Sequence, residues 1–224
     1  MICGIDEAGR GPVIGPMVVA GVWIPGAAEE ELLALNVKDS KKHSPKRREE
    51  LSAAIAEQFY YRLQVVAAED IDSLRGAMTL NELEAHVFAR IGSEKRAGTY
   101  YLDSASTSEA WFGERFQAGL PYDAVVVSRH EADDTYPVVS AASIMAKVER
   151  DRQVDMIAGE LEPRLDLPLG SGYPSDSRTR QFLKTWMQEY GDVPPYTRRS
   201  WKTVQKLKGE LQQDTLFEPG HRYK

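Results

Sequence analysis

The chain has 224 residues, 42% of them hydrophobic and 28% charged, and a net charge of −6. That balance is ordinary for a globular protein with one sizeable core and a smaller appendage. It excludes a protein that coats nucleic acid by bulk positive charge, and the single cysteine, Cys3, excludes an intrachain disulfide and fits a reducing, cytoplasmic setting. Asp6 and Glu7 interrupt the N-terminus too early for a secretory signal. The longest apolar stretch, residues 12–25, is too short for a membrane span and is broken by Pro16 and Gly21.

In chain order, residues 1–6 and 17–24 read as two apolar strands. Between them lies the glycine-rich turn Ala8-Gly9-Arg10-Gly11, and the first strand ends in Asp6-Glu7. Two adjacent acids at the end of a buried strand cost on the order of several kcal/mol unless an arginine or a metal ion compensates them. Taken alone, the same residues read better as a solvated loop. Ser44-Pro45 opens a helix reaching about residue 58, with Leu51, Ile55 and Phe59 near one face. Residues 60–67 alternate as a strand. Thr79-Leu80-Asn81-Glu82 is a capping box, and Leu80, Leu83, Val87 and Ile91 mark the apolar face of the helix it opens.

Residues 99–103 form a strand ending in Asp103. Residues 124–128 form another, with Glu131, Asp133 and Asp134 just beyond it. A long helix starts at Val138 and buries Ala141, Ile144, Met145 and Val148. This order predicts an α/β domain with a mixed sheet, neighbouring strands first and crossovers later. After Glu162, prolines and glycines break the pattern, and helices over 177–190 and 201–212 make a small helical C-terminal lobe. The expected organisation is a catalytic domain at 1–165, a substrate-binding lobe at 166–212 and a flexible tail at 213–224.

Three strand ends therefore carry carboxylates: Asp6-Glu7, Asp103 and Asp133-Asp134. In open α/β sheets, sites gather beyond strand ends. Carboxylates brought to one point repel unless cations hold them, and magnesium or manganese prefers such oxygen ligands. The histidines, His43, His86, His130 and His221, are scattered and do not build a zinc site. There is no Walker loop, nucleophile elbow or H-E-x-x-H motif. A glycosidase also uses two carboxylates, but it would not need the glycine-rich corner or the lysine cluster, one of two basic clusters in the chain. One is Lys38, Lys41, Lys42, Lys46, Arg47 and Arg48; the other is Arg198, Arg199, Lys202, Lys206 and Lys208.

Gly4-Ile5-Asp6-Glu7-Ala8-Gly9-Arg10-Gly11-Pro12, with Gly15-Pro16 behind it, resembles the opening signature of ribonuclease HII (type 2 ribonuclease H). Further fragments match in the family's order: Lys38-Asp39-Ser40-Lys41-Lys42, Leu102-Asp103-Ser104, Ala132-Asp133, Ser140-Ala141-Ala142-Ser143-Ile144, Ala146-Lys147-Val148, Arg150-Asp151 and Gly170-Ser171-Gly172-Tyr173-Pro174-Ser175-Asp176. The resemblance runs from residue 1 to about 205, and the C-terminal extension is closest to the archaeal branch. It implies an RNase H-like mixed five-stranded sheet flanked by helices. It implies four acidic metal ligands, Asp6, Glu7, Asp103 and Asp133, holding two Mg2+ or Mn2+ ions during catalysis. The implied reaction cleaves RNA in RNA–DNA hybrids and at single ribonucleotides embedded in duplex DNA, leaving 3′-hydroxyl and 5′-phosphate ends.

By the same resemblance, Gly9, Arg10 and Gly11 approach the ribose 2′-hydroxyl and Tyr173 packs on that sugar. Ser140, Ser143, Lys147, Lys41, Lys42, Arg198 and Lys202 contact phosphates, and the protein acts as a monomer. The tail from Gln212 to Phe217 partly matches a sliding-clamp-binding peptide. Its aromatics are displaced, with Pro219-Gly220 where they should stand, so a disordered tail is the expectation and a clamp the alternative. Three other functions fit the sequence less well. The sister type, ribonuclease HIII, usually carries an added N-terminal domain, whereas this sequence begins at the catalytic strand. An inactive reader of hybrids would not need all four acids. A structural calcium protein would not need the basic clusters or the tyrosine loop.

Overall fold

A computed structural model of the chain describes residues 1–37 and 43–217, the last six of them as backbone. Five strands form one mixed sheet in the order β3-β2-β1-β4-β5. β1 (Ile2–Ala8) pairs antiparallel with β2 (Met17–Ile24), and β2 pairs antiparallel with β3 (Tyr60–Val66). On the other side β1 runs parallel to β4 (Thr99–Asp103), which runs parallel to β5 (Val125–Arg129). The parallel half places the C-terminal ends of β1, β4 and β5, and hence their acids, at one edge.

Helices cover both faces. α1 (Glu29–Leu35), α2 (Pro45–Gln58) and the long α7 (Pro137–Leu161) pack on one, and α4 (Leu80–Gly92) and α5 (Glu109–Gly119) on the other. α3 (Ala68–Leu74) and α6 (Ala132–Thr135) are short connectors. Strand alternation sorts β1 cleanly. Cys3 and Ile5 enter the α4–α5 core, whereas Ala8 enters the α7 core. Gly4 lies on the α7 face, where a Cβ would stand 2.4 Å from the Val138 carbonyl. α7 comes this close because its buried residues here are small: Ser140, Ala141, Ala142, Ser143 and Ala146 are all fully buried.

A third core joins α7 to the C-terminal helices α8 (Ser177–Tyr190) and α9 (Lys202–Phe217) through Ile157, Leu161, Leu169, Phe182, Leu183 and Val204. α9 continues five residues past the expected end at 212. Residues 218–224 lie outside the described structure, as do the side chains of 212–217 that bear on the clamp-peptide reading. β5 is shifted by one residue from the expected 124–128. α1 and α3 had no counterpart in the sequence reading, because seven residues give too few turns for a 3.6-residue pattern to stand out. Among the described residues, no helix is long and apolar enough to cross a membrane.

Candidate metal centre and sugar-facing loop

Asp6, Asp103 and Asp133 offer carboxylate oxygens that all lie within 4.8 Å of one another. Each arrives from a different element. Asp6 sits near the end of β1 on the α7 face, and its Oδ1 accepts the Glu7 N–H at 2.7 Å. Asp103 closes β4, and its Oδ1 accepts the Ala132 N–H at 3.0 Å, which draws the start of α6 over the site. Asp133 is buried on α6, whereas Asp134 is exposed.

Residues 132–135 form a helical turn that follows Glu131 in a left-handed conformation. Neighbours on such a turn diverge by about 100°, so only one of the two acids faces inward. Asp133→Asn should cut turnover far more than Asp134→Asn in both magnesium and manganese. Rate measurements in the two metals check this, and the reverse order would remove Asp133 from the centre. His130 contributes scaffolding: it is exposed, and its Nδ1 lies 2.8 Å from the Ser104 carbonyl.

Burial pushes the Asp6 carboxyl from its ordinary value of 3.8 up to about 8, with the Glu7 charge adding to it and Lys147 and Ser143 opposing. Burial, Glu84 and Asp103 push Glu7 well up too. Glu7 Oε2 is a buried oxygen that no hydrogen-bond donor among the described residues reaches. A cluster of hard oxygen donors with a missing donor and raised proton affinity fits a divalent cation.

The sign of the pH effect follows. Asp6 holds a proton in the folded state that it releases when unfolded, between about pH 4 and pH 8. Its contribution is therefore full below pH 4 and lost as pH rises through 8. Asp176 and Asp192, held below the usual carboxylate range by Arg178 and Arg199, are already ionised at pH 5 and leave this window flat. The midpoint of thermal unfolding in a chelator should fall from pH 5 to pH 8. Added magnesium should raise it more at pH 8 than at pH 5. A chelated midpoint rising with pH would contradict a repulsive acid cluster.

Glu7 points to the other side of the sheet, as β alternation requires, toward α4. There it meets Glu84, a fully buried carboxylate that the sequence reading missed. Burial raises Glu84 to about 7, and Arg10 opposes the rise. Arg10 Nε donates to Glu84 Oε2 at 2.7 Å, and its Nη2 donates to Asn81 Oδ1 at 2.5 Å. The available signal was position: Glu84 falls four residues after Leu80 and three before Val87, on the apolar stripe itself. A charge there demands a partner. Arg10 is that partner, with its Nε and Nη2 committed to α4.

The loop after β1 is held closely. Gly9 adopts a φ of +81°, and a Cβ there would stand 2.6 Å from the Pro16 carbonyl oxygen. Its lack of a side chain therefore serves the turn itself. Gly11 is exposed and faces Tyr173, whose ring lies 3.5 Å from where a Cβ would be. The Arg150 guanidinium stands 5.7 Å from the Tyr173 ring centre. The turn carrying Tyr173 is fixed by Gly172, whose carbonyl accepts the Val13 N–H at 2.8 Å.

Other expected phosphate contacts divide. Ser143 and Lys147 are one helical turn apart, hydrogen-bonded to each other, and adjoin Asp6. Lys202 is exposed. Ser140 is corrected: it is fully buried and its hydroxyl donates to the Val37 carbonyl at 3.0 Å, so it anchors a loop. Arg198 is corrected too: it is fully buried, with its guanidinium turned onto backbone carbonyls, and cannot reach a phosphate. Lys41 and Lys42 lie outside the described residues.

Comparison with known proteins matches this architecture. The family model described as Ribonuclease HII covers residues 3–204. A ribonuclease HII of Thermococcus onnurineus is 44% identical over 213 residues, spanning 94% of this chain and 91% of the relative. The crystal structure of ribonuclease H2 from Pyrococcus horikoshii has a TM-score of 0.87 at 38% identity, over 95% of this chain and 99% of that one. A ribonuclease HII from Archaeoglobus fulgidus, solved as a complex with PCNA, has a TM-score of 0.83 at 40% identity, over 93% and 97% of the two chains.

Proposed function

The chain belongs to the ribonuclease HII family, and from that premise we propose that it cuts both RNA in RNA–DNA hybrids and single ribonucleotides embedded in duplex DNA. The cut falls on the 5′ side of the ribonucleotide and leaves 3′-hydroxyl and 5′-phosphate ends. Its tasks are removal of misplaced ribonucleotides and of primer RNA in the cytoplasm, as a monomer. The observation that carries this reading is the convergence of Asp6, Asp103 and Asp133, two of them buried, at one strand edge, with the exposed Gly11 facing Tyr173 on the loop that follows β1.

Asp6, Asp103 and Asp133 would hold Mg2+ or Mn2+, with Glu7 joining them from the same strand end. When bound, a pair of such ions supplies an activated water and stabilises the leaving oxygen. Lys147 offsets carboxylate charge and, with Ser143, holds the phosphate. Gly11 admits the sugar edge, and the Tyr173 ring lies against it with its hydroxyl on the 2′-OH, the group that separates RNA from DNA at one nucleotide. The lobe at 166–212 adds surface cations such as Lys202 for flanking phosphates. The complex of the Archaeoglobus fulgidus relative with PCNA supports a sliding clamp as a partner of this chain, with the C-terminal tail as its contact.

The test is cleavage of a duplex with one embedded ribonucleotide, with and without magnesium. Wild type should cut once, and an all-DNA duplex should survive. Tyr173→Phe keeps the ring and removes the hydroxyl, so it should slow cleavage by about tenfold. Tyr173→Ala should slow it further. Wild-type rates in both variants would take the tyrosine out of sugar recognition, and failure to cut the ribonucleotide duplex would reject the proposed reaction.

A further inference from the structure

Arg198 is a buried cation with an unusual set of partners. Its Nε donates to the Gly15 carbonyl at 3.0 Å, its Nη1 to Arg10 at 2.7 Å and its Nη2 to Gly9 at 2.5 Å. Trp201, with its ring 4.9 Å from that guanidinium, donates its Nε1–H to the Gly11 carbonyl at 3.2 Å. Backbone bonds seat the same segment. The Gly15 N–H donates to the Tyr196 carbonyl at 2.9 Å, and the Arg198 N–H to Val13 at 2.8 Å. The carbonyls of Gly9, Arg10 and Gly11 are thus all drawn to one side by the chain leading into α9.

The peptide bond is planar, and no cis peptide is present among the described residues, so each C=O in this loop points opposite the N–H of the same peptide. Drawing in the Gly9 and Arg10 carbonyls turns the Arg10 and Gly11 amides outward, away from Arg198. Gly11 is exposed there, beside Tyr173. We propose that Arg198 is a positioning residue that aims the Arg10 and Gly11 N–H groups at the substrate sugar, coupling sugar reading to the C-terminal lobe. The proposal rests on the function assigned above. A lysine cannot replace it, because its donors share one nitrogen and cannot span three carbonyls, whereas the planar guanidinium fork can. Arg198 remains protonated at neutral pH, since burial lowers it only to about 10.

The test pairs hydrogen exchange with kinetics in Arg198→Lys and in the gentler Trp201→Phe, which keeps a ring and loses one donor. In Arg198→Lys, amides in a peptide covering 9–15 should exchange about 10- to 100-fold faster, while those of 99–103 stay as in wild type. Single-turnover cleavage at one ribonucleotide should fall about as far, with the magnesium concentration for half-maximal rate changing less than about twofold. Trp201→Phe should move in the same direction by a smaller factor, and it decides the matter if the lysine variant does not fold. Unchanged exchange at 9–15 overturns the proposal, as does a loss of magnesium affinity equal to the loss of rate. Should wild type fail to cut the ribonucleotide duplex, the functional reading falls, and the exchange data still decide whether Arg198 holds the loop.

Discussion

Asp6→Asn should abolish cleavage, by about a thousandfold or more in turnover, and should at the same time make the metal-free protein harder to unfold. Both effects have one cause. Asp6 is 3% exposed and lies among Asp103, Asp133 and Glu7. Its charge is what a cation needs and what the empty fold pays for. Asparagine keeps the volume and the oxygen that accepts the Glu7 N–H, but carries no charge. Above pH 8 the change removes a burial and repulsion cost on the order of 1 kcal/mol or more. For a chain this long, each kcal/mol moves the unfolding midpoint by about 2–4 °C. Melting in a chelator at pH 8, beside turnover in magnesium and in manganese, measures both. Turnover near wild type in either metal would remove Asp6 from the centre.

Gly4→Ala should be the most disruptive single methyl in the sheet. The added Cβ would stand 2.4 Å from both the carbonyl carbon and oxygen of Val138, and 2.6 Å from the Val139 nitrogen. All three are backbone atoms of α7, so no side chain can swing away. The helix must move out by about 1 Å, at a cost of about 1–3 kcal/mol. That helix also carries Ser143 and Lys147 against Asp6, so the enzyme that still folds should lose turnover as well. Gly159→Ala on the same helix is the control: it is exposed, nothing lies within 4 Å of its Cβ position, and it should stabilise by about 0.5–1 kcal/mol. Denaturant unfolding of the pair separates the two, and equal midpoints would contradict the close docking of α7.

Much of this protein is written in local patterns. Ser44-Pro45 starts α2, and the Thr79–Glu82 capping box opens α4 with both of its reciprocal hydrogen bonds formed. The acids at strand ends, the glycine-rich turn and the tyrosine loop are likewise legible, because each is a short run whose chemistry is unusual for its setting. The direction of a side chain over a longer distance is not local. The acids of β1 are adjacent in sequence, yet strand alternation sends Asp6 to α7 and Glu7 to α4. Glu84 was hidden for a related reason: only when α4 packs beside the end of β1 does its place on the apolar stripe bring a carboxylate to Glu7 and Arg10.

The basic cluster at 198–208 shows the same divide. The family resemblance reads Arg198 and Lys202 alike as phosphate contacts. The fold buries the first against three carbonyls of the β1–β2 turn and leaves the second in solvent. By itself, then, the sequence determined the order of strands and helices, the family likeness and the acids available for a metal. Only the tertiary structure decided which acids meet, which cations face a ligand and which glycine serves the turn rather than the sugar. Burial and hydrogen-bond partners are properties of segments brought together from across the chain.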